Sequence, residues 1–179
     1  MLKRIGHYMY SKANKLYFSL KFILLINKEA EKIYIFDIDN TIANTWPSFL
    51  QSYSTLEERL LSLAVFHKMR EHILDISSKG NKVIFLTARP YNTYSLTFTW
   101  LKNLGLIKNK DDLFLVSKPL EKIDLLKKIN KEVYFYDDMT YNHEKGEMKY
   151  YENEIRLLGQ LSYVKYYGLS DINKIHEGL

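Results

Sequence analysis

Between residues 33 and 166, short apolar runs alternate with longer segments in which apolar and polar positions recur at helical spacing. The runs at 33–36, 83–86, 113–116, 133–136 and 161–166 are rich in β-branched and aromatic residues, the composition of buried strands. Helices are expected over 56–78, 93–104, 119–130 and 142–158. Lys79-Gly80-Asn81 reads as a helix stop, and Pro119 suits the first turn of a helix that starts after Lys118. The order βαβαβαβαβ predicts an α/β fold, a three-layer α/β/α sandwich around a mainly parallel, Rossmann-like sheet. Right-handed crossovers then bring every strand C-terminus to one edge, where such sheets bind ligands.

The N-terminal 30 residues differ from this body. Residues 1–28 carry Lys3, Arg4, Lys12, Lys15, Lys21 and Lys28 and no acidic residue, which leaves 20 basic against 21 acidic residues in the remainder. The formal charge of +5 is therefore a property of the leader, and the near-neutral body lacks the basic track expected of a nucleic-acid binder. The apolar run at 16–26 is too short to span a bilayer and is interrupted by Lys21, and Asn27-Lys28-Glu29 is no signal-peptide cleavage site. The leader is read as a helix that packs on residues 31–179; the alternative is peripheral contact with an anionic membrane or a protein. With 179 residues and no break in composition, 31–179 is expected to be one domain, and the absence of cysteine excludes disulfides and thiolate metal sites and suits a cytoplasmic setting.

Chemistry concentrates at the predicted strand ends. The first gives Asp37-Ile38-Asp39-Asn40-Thr41, the second Thr87-Ala88-Arg89, the third leads to Ser117-Lys118-Pro119, and the fourth gives Asp137-Asp138. D-x-D-x-T alone arises by chance in about 2% of chains this long, so the succession of four motifs carries the reading rather than the first alone.

Asp37, Asp39 and Thr41, then Thr87, then Lys118, then Asp137-Asp138 resemble, in this order, the four motifs of the haloacid dehalogenase superfamily of phosphatases, over about residues 32–143. The resemblance implies a phosphomonoester hydrolase. A carboxylate at Asp37 would attack phosphorus to form an aspartyl-phosphate, and Asp39 would protonate the leaving oxygen and later take a proton from water. Carboxylates facing a phosphate dianion require a cation, and Mg²⁺ suits Asp37, the backbone carbonyl of Asp39 and one carboxylate of the fourth motif. By the resemblance that ligand is Asp138, with Asp137 and Asn142 around it. Thr41, Thr87, Arg89 and Lys118 are the expected substrate contacts, with Lys118 preferred over Lys122, one helical turn later, because Pro119 fixes it at the helix entrance. His143 has a claim only through its closeness to Asp138; His67, His72 and His176 read as ordinary surface or interface residues.

The gaps between motifs leave about a dozen residues near 42–54 for a loop or small helix, so the chain resembles capless members of the superfamily. An open site admits large phosphorylated substrates, and Trp46, Phe49, Arg89 and Tyr91 are expected at its rim. A polynucleotide 3′-end phosphatase ranks second; a phosphotransferase and an inactive binding module are the remaining alternatives.

Overall fold

The computed structural model of the protein describes residues 2–28 and 32–179, with side chains from Tyr10 to Ile26 and from Lys32 onward. Lys3, Arg4 and Lys28, counted among the basic residues of the leader, thus lie outside the described side chains. Five strands, β1 (Lys32–Phe36), β2 (Lys82–Thr87), β3 (Leu113–Leu115), β4 (Glu132–Tyr136) and β7 (Val164–Tyr167), form an all-parallel sheet in the order β3-β2-β1-β4-β7. A hairpin, β5 (Thr140–Tyr141) with β6 (Lys149–Tyr150), stands apart from it.

The sheet is closed on both faces, which is why its strands are apolar without alternation: Ile33, Ile35, Ile84, Leu113, Leu115 and Phe135 are all fully buried. Helices α3 (His67–Ser78) and α7 (Leu169–Glu177) pack together on one face, whereas α1 (Leu2–Lys28), α5 (Pro119–Leu126) and α6 (Glu152–Leu158) occupy the other. The expected three-layer α/β arrangement is thus present. Across β1, β4 and β7 aromatic rings form a ladder, Phe36 on Tyr136 at 4.4 Å and Tyr136 on Tyr167 at 4.4 Å, contacts that add to plain burial.

The leader docks through one stripe. Phe18, Phe22 and Ile26 are buried, and Phe22 meets Phe114 of β3 edge-on at 5.0 Å; burial of such a ring contributes about 2–3 kcal/mol. Leu16, Leu20 and Leu24, on the opposite side of α1, remain exposed. Among the described residues, no helix is long and apolar enough to cross a membrane.

Two expected helices are corrected. Residues 56–78 are not one helix but α2 (Leu56–Leu61) and α3, because the segment between them pairs with the loop after β1: Phe66 N donates to Ile42 O and Asn44 N to Ala64 O, each at 2.8 Å. A backbone bonded across to another loop cannot also continue the helical ladder. Residues 142–158 open not as an α-helix but in the β5–β6 hairpin, whose turn holds one 3-10 turn (His143–Lys145) between left-handed Asn142 (φ 71°) and Gly146 (φ 76°), and only 152–158 are α-helical. Glycine takes this left-handed conformation without penalty and asparagine at little, which a helix interior would not allow. Helix α4 (Tyr94–Asn103) lies within its expected range, and α5 stops at Leu126 rather than 130.

Candidate active site

In the order β3-β2-β1-β4-β7, the chain proceeds from β1 to one side and from β4 to the other, so a crevice opens between the C-terminal ends of these two strands. Asp37 follows β1 directly and Asp137-Asp138 follow β4. Asp37 N donates to Tyr136 O at 2.8 Å, extending the ladder by one residue and locking the two acidic ends side by side. Past Asp37 the chain turns tightly: Ile38 O accepts from Ile42 N and Ala43 N, each at 2.9 Å. Asn40 (φ 58°) and Met139 (φ 49°) are left-handed; for Met139 this conformation is strained, and such strain concentrates where a loop is held for function.

The acidic ends converge on one cation. Lys122 of α5 lies 2.7 Å from Asp37 Oδ1 and 2.7 Å from Asp137 Oδ2, and it is almost completely buried. Asp37, Asp137 and Asp138 each place a carboxylate oxygen within 4.8 Å of the others. One ammonium cannot balance three buried carboxylates. Burial above all, and then the charges of Asp137 and Asp39, raise Asp37 from 3.8 to about 7 despite Lys122. Asp138 is likewise pushed well above its ordinary range by burial and by its acidic neighbours Asp137 and Asp37.

Such an oxygen-only, net-negative cluster fits a hard divalent cation. Asp137 already accepts from Lys122 and, through Oδ1, from Met139 N at 3.0 Å, which leaves Asp37 and Asp138 the freer donors. Asp37 makes no hydrogen bond through Oδ2 to any described residue and borders a cavity of about 400 Å³. Thr140 donates to Asp138 and contacts His143 Nε2 at 2.7 Å, so the hairpin reaches the cluster through a hydroxyl. Sequence reasoning gave His143 a place near Asp138 but missed Thr140, which supplies the connection.

Asp39 faces a different group. Arg89 clamps it with Nε at 2.8 Å and Nη2 at 2.6 Å, Thr45 donates to it at 2.8 Å, and Thr87 lies at 3.4 Å. Burial alone would raise this carboxyl, but the guanidinium and the hydroxyl together outweigh it and hold Asp39 below its ordinary value. Arg89 also reaches Thr97 Oγ1 at 3.2 Å, so it is neither a surface ion pair nor a free phosphate contact. Replacement of Arg89 by methionine leaves the part-buried Asp39 carboxylate with hydroxyl partners but no counter-charge; a loss of about 1–3 kcal/mol, read as a lower Tm, is expected. The same change raises the value of Asp39, so any limb of a pH–rate profile that reports it moves to higher pH.

Several expected contacts lie elsewhere. The ammonium at the cluster belongs to Lys122 and not Lys118, which is exposed at the N-cap of α5, one turn too early to reach inward. Thr41 is fully buried, and its Oγ1 accepts from Asp138 N at 3.2 Å; it ties the two acidic loops together and does not face the cavity. Thr87 bonds Asp39, and Asn142 donates to Glu147 O at 3.0 Å within the hairpin turn, away from the carboxylates. Tyr91 is buried against Phe18, ring centroids 5.6 Å apart, and so does not stand at the rim, whereas Phe49 and Arg89 both border the cavity and Trp46 lies over His143. His176 supports the site from behind, 2.9 Å from Thr41 O and stacked on Phe66. The short segment 46–61 covers more of the cavity than a bare loop would, contributing Phe49, Leu56, Arg59 and Leu60. Comparison with known protein families and with curated proteins finds no match to this chain.

Proposed function

We propose that the protein is a magnesium-dependent phosphomonoester hydrolase of the haloacid dehalogenase type, with Asp37 as nucleophile. The observation that carries this reading is the cluster of buried Asp37, Asp137 and Asp138 at the crevice between β1 and β4, with Lys122 bonded to the first two and Asp37 bordering the cavity. A phosphate ester entering the cavity would meet Asp37 at its floor. A carboxylate oxygen of Asp37 forms a bond to phosphorus as the bond from phosphorus to the ester oxygen breaks, and that oxygen leaves with a proton from Asp39. Water then attacks the phosphorus of the aspartyl-phosphate, Asp39 takes its proton, and phosphate departs with Asp37 restored. Lys122 offsets charge on the Asp37 side throughout.

Asp37 and Asp138 are the residues that would hold Mg²⁺, with Asp137 bonded to Lys122 beside them. When bound, the ion would neutralise the carboxylates so that an anionic phosphate could approach. The Arg89 clamp favours the carboxylate form of Asp39, which suits its role as base. For its role as acid a proton must be gained, and the negative charge of an arriving phosphate opposes Arg89 and favours that proton.

The test is phosphate release from a panel of sugar phosphates, nucleotides, phosphopeptides and 3′-phosphorylated oligonucleotides, with Mg²⁺ or with EDTA. Turnover on at least one class that disappears in EDTA is expected, and the class turned over separates a small-molecule enzyme from a polynucleotide 3′-end phosphatase. Turnover that survives EDTA, or absence of turnover on every class, would oppose the reading.

A further inference from the structure

The cavity contains three cations, and two of them are engaged. Lys122 is shared by Asp37 and Asp137, and Arg89 is clamped to Asp39. The third is Arg59, on α2, which borders the same cavity yet makes no ion pair with any described residue. Its Nε is buried without a hydrogen-bond partner among the described residues, which costs free energy, and its two Nη groups, the donors a ligand could meet, have none either.

Its position is nonetheless fixed. The guanidinium lies over the Phe49 ring, 4.6 Å from the centroid, which limits its rotamers. Thr55 caps α2 by accepting from Glu58 N at 3.0 Å, and the Glu58 carboxylate accepts from Ser54 N at 2.8 Å. The nearby Glu58 is thereby held at the helix start and leaves Arg59 uncompensated. A fixed, half-buried guanidinium with a free donor edge matches planar oxyanions such as carboxylate and phosphate. The Asp37–Lys122 end of the cavity is where a scissile phosphate would bind, and Arg59 enters from the covering segment 46–61.

We infer that Arg59 binds a second anionic group of the substrate, so that the natural substrate is a phosphomonoester whose alcohol portion carries a further phosphate or carboxylate. This rests on the reading of the site as a phosphomonoesterase. The covering segment thus selects the substrate through charge as well as shape, and a neutral alcohol portion forgoes that contact.

The experiment compares kcat/KM, with Mg²⁺, for simple alkyl phosphates against the matching α,ω-bisphosphates and ω-carboxyalkyl phosphates over a series of chain lengths. At the chain length that spans the two ends, wild type is expected to prefer the doubly anionic substrate by about 10- to 100-fold, mostly through KM, the range of one charge-assisted contact. Which series wins identifies the second group as phosphate or carboxylate. Arg59→Gln collapses the ratio between the series toward one, and Arg59→Lys restores part of it. No preference in wild type at any length, or Arg59→Gln lowering both series by the same factor, would overturn the inference. Should no series turn over, the phosphatase reading is left to its own panel and calorimetric titration of the bisphosphates decides the inference separately: binding to wild type weakened about tenfold or more in Arg59→Gln sustains it, and no binding, or equal binding to both proteins, overturns it.

Discussion

Exchange of Asp37 for asparagine is expected to lower turnover by about 10⁴-fold or more while making the metal-free protein more stable near pH 8. The first effect follows from removing the attacking oxygen, a loss that binding and positioning cannot restore. The second follows from the same burial that equips the residue. Its carboxyl is raised from 3.8 to about 7, so the folded protein binds that proton more tightly than the unfolded chain does. Stability contributed by the proton is therefore lost as pH rises from 3.8 through about 7, and the cost of the naked carboxylate is complete above the higher value. A shift of this size corresponds to at most about 4 kcal/mol, and an amide of the same shape avoids it. Calorimetric unfolding in EDTA should show Asp37→Asn melting several degrees above wild type near pH 8, with the difference narrowing on acidification or when Mg²⁺ is added to the wild type. A variant that melts below wild type at pH 8 would mean that the Lys122 pair contributes more than burial removes.

How far the sequence foretold this site depends on which kind of residue is considered. Asp37, Asp39, Asp137 and Asp138 were legible because each follows a short buried strand, and a strand end fixes where the next residue stands. Helical positions are different, since the phase of the helix decides which side chain turns inward. Lys118 is the N-cap of α5, whereas Lys122 shares a face with Pro119, Ile123 and Leu126, spaced at three, four and seven positions. A lysine set within an otherwise inward stripe was the signal that favoured Lys122. Arg59 escaped notice because 56–78 read as one continuous helix, in which it would be an ordinary surface charge. The break at 62–66, made by hydrogen bonds to the loop after β1, involves partners distant in sequence. The hairpin at 140–150 sets Thr140 on Asp138 and His143 on the Thr140 hydroxyl, and its left-handed turn at Gly146 is visible only as a lone glycine in a polar stretch.

Replacement of Lys122 by methionine should prove the most destabilising single change in the site. The ammonium is shared by two buried carboxylates, and its loss leaves both without a counter-charge; breaking such a pair costs about 3–5 kcal/mol. Methionine keeps most of the volume, so the loss reflects charge rather than a void. For a chain of this length the expected fall in Tm is on the order of 10 °C. Without Lys122 the carboxyl of Asp37 rises further, so the deficit should shrink as pH falls and its proton returns, and grow as pH rises through neutral. Mg²⁺ should recover part of it by supplying positive charge to the same oxygens. Turnover by whatever fraction remains folded should drop by about 10²- to 10³-fold, the scale of one lost electrostatic contact to the reacting group. Lys118→Met, at an exposed helix cap, should change stability by no more than about 0.5 kcal/mol and leave turnover intact. Were Lys118→Met to lose activity while Lys122→Met kept both activity and Tm, the lysine serving the phosphate would be the one at the helix entrance, and α5 would have to sit one turn further along the rim than its contacts with Asp37 and Asp137 place it.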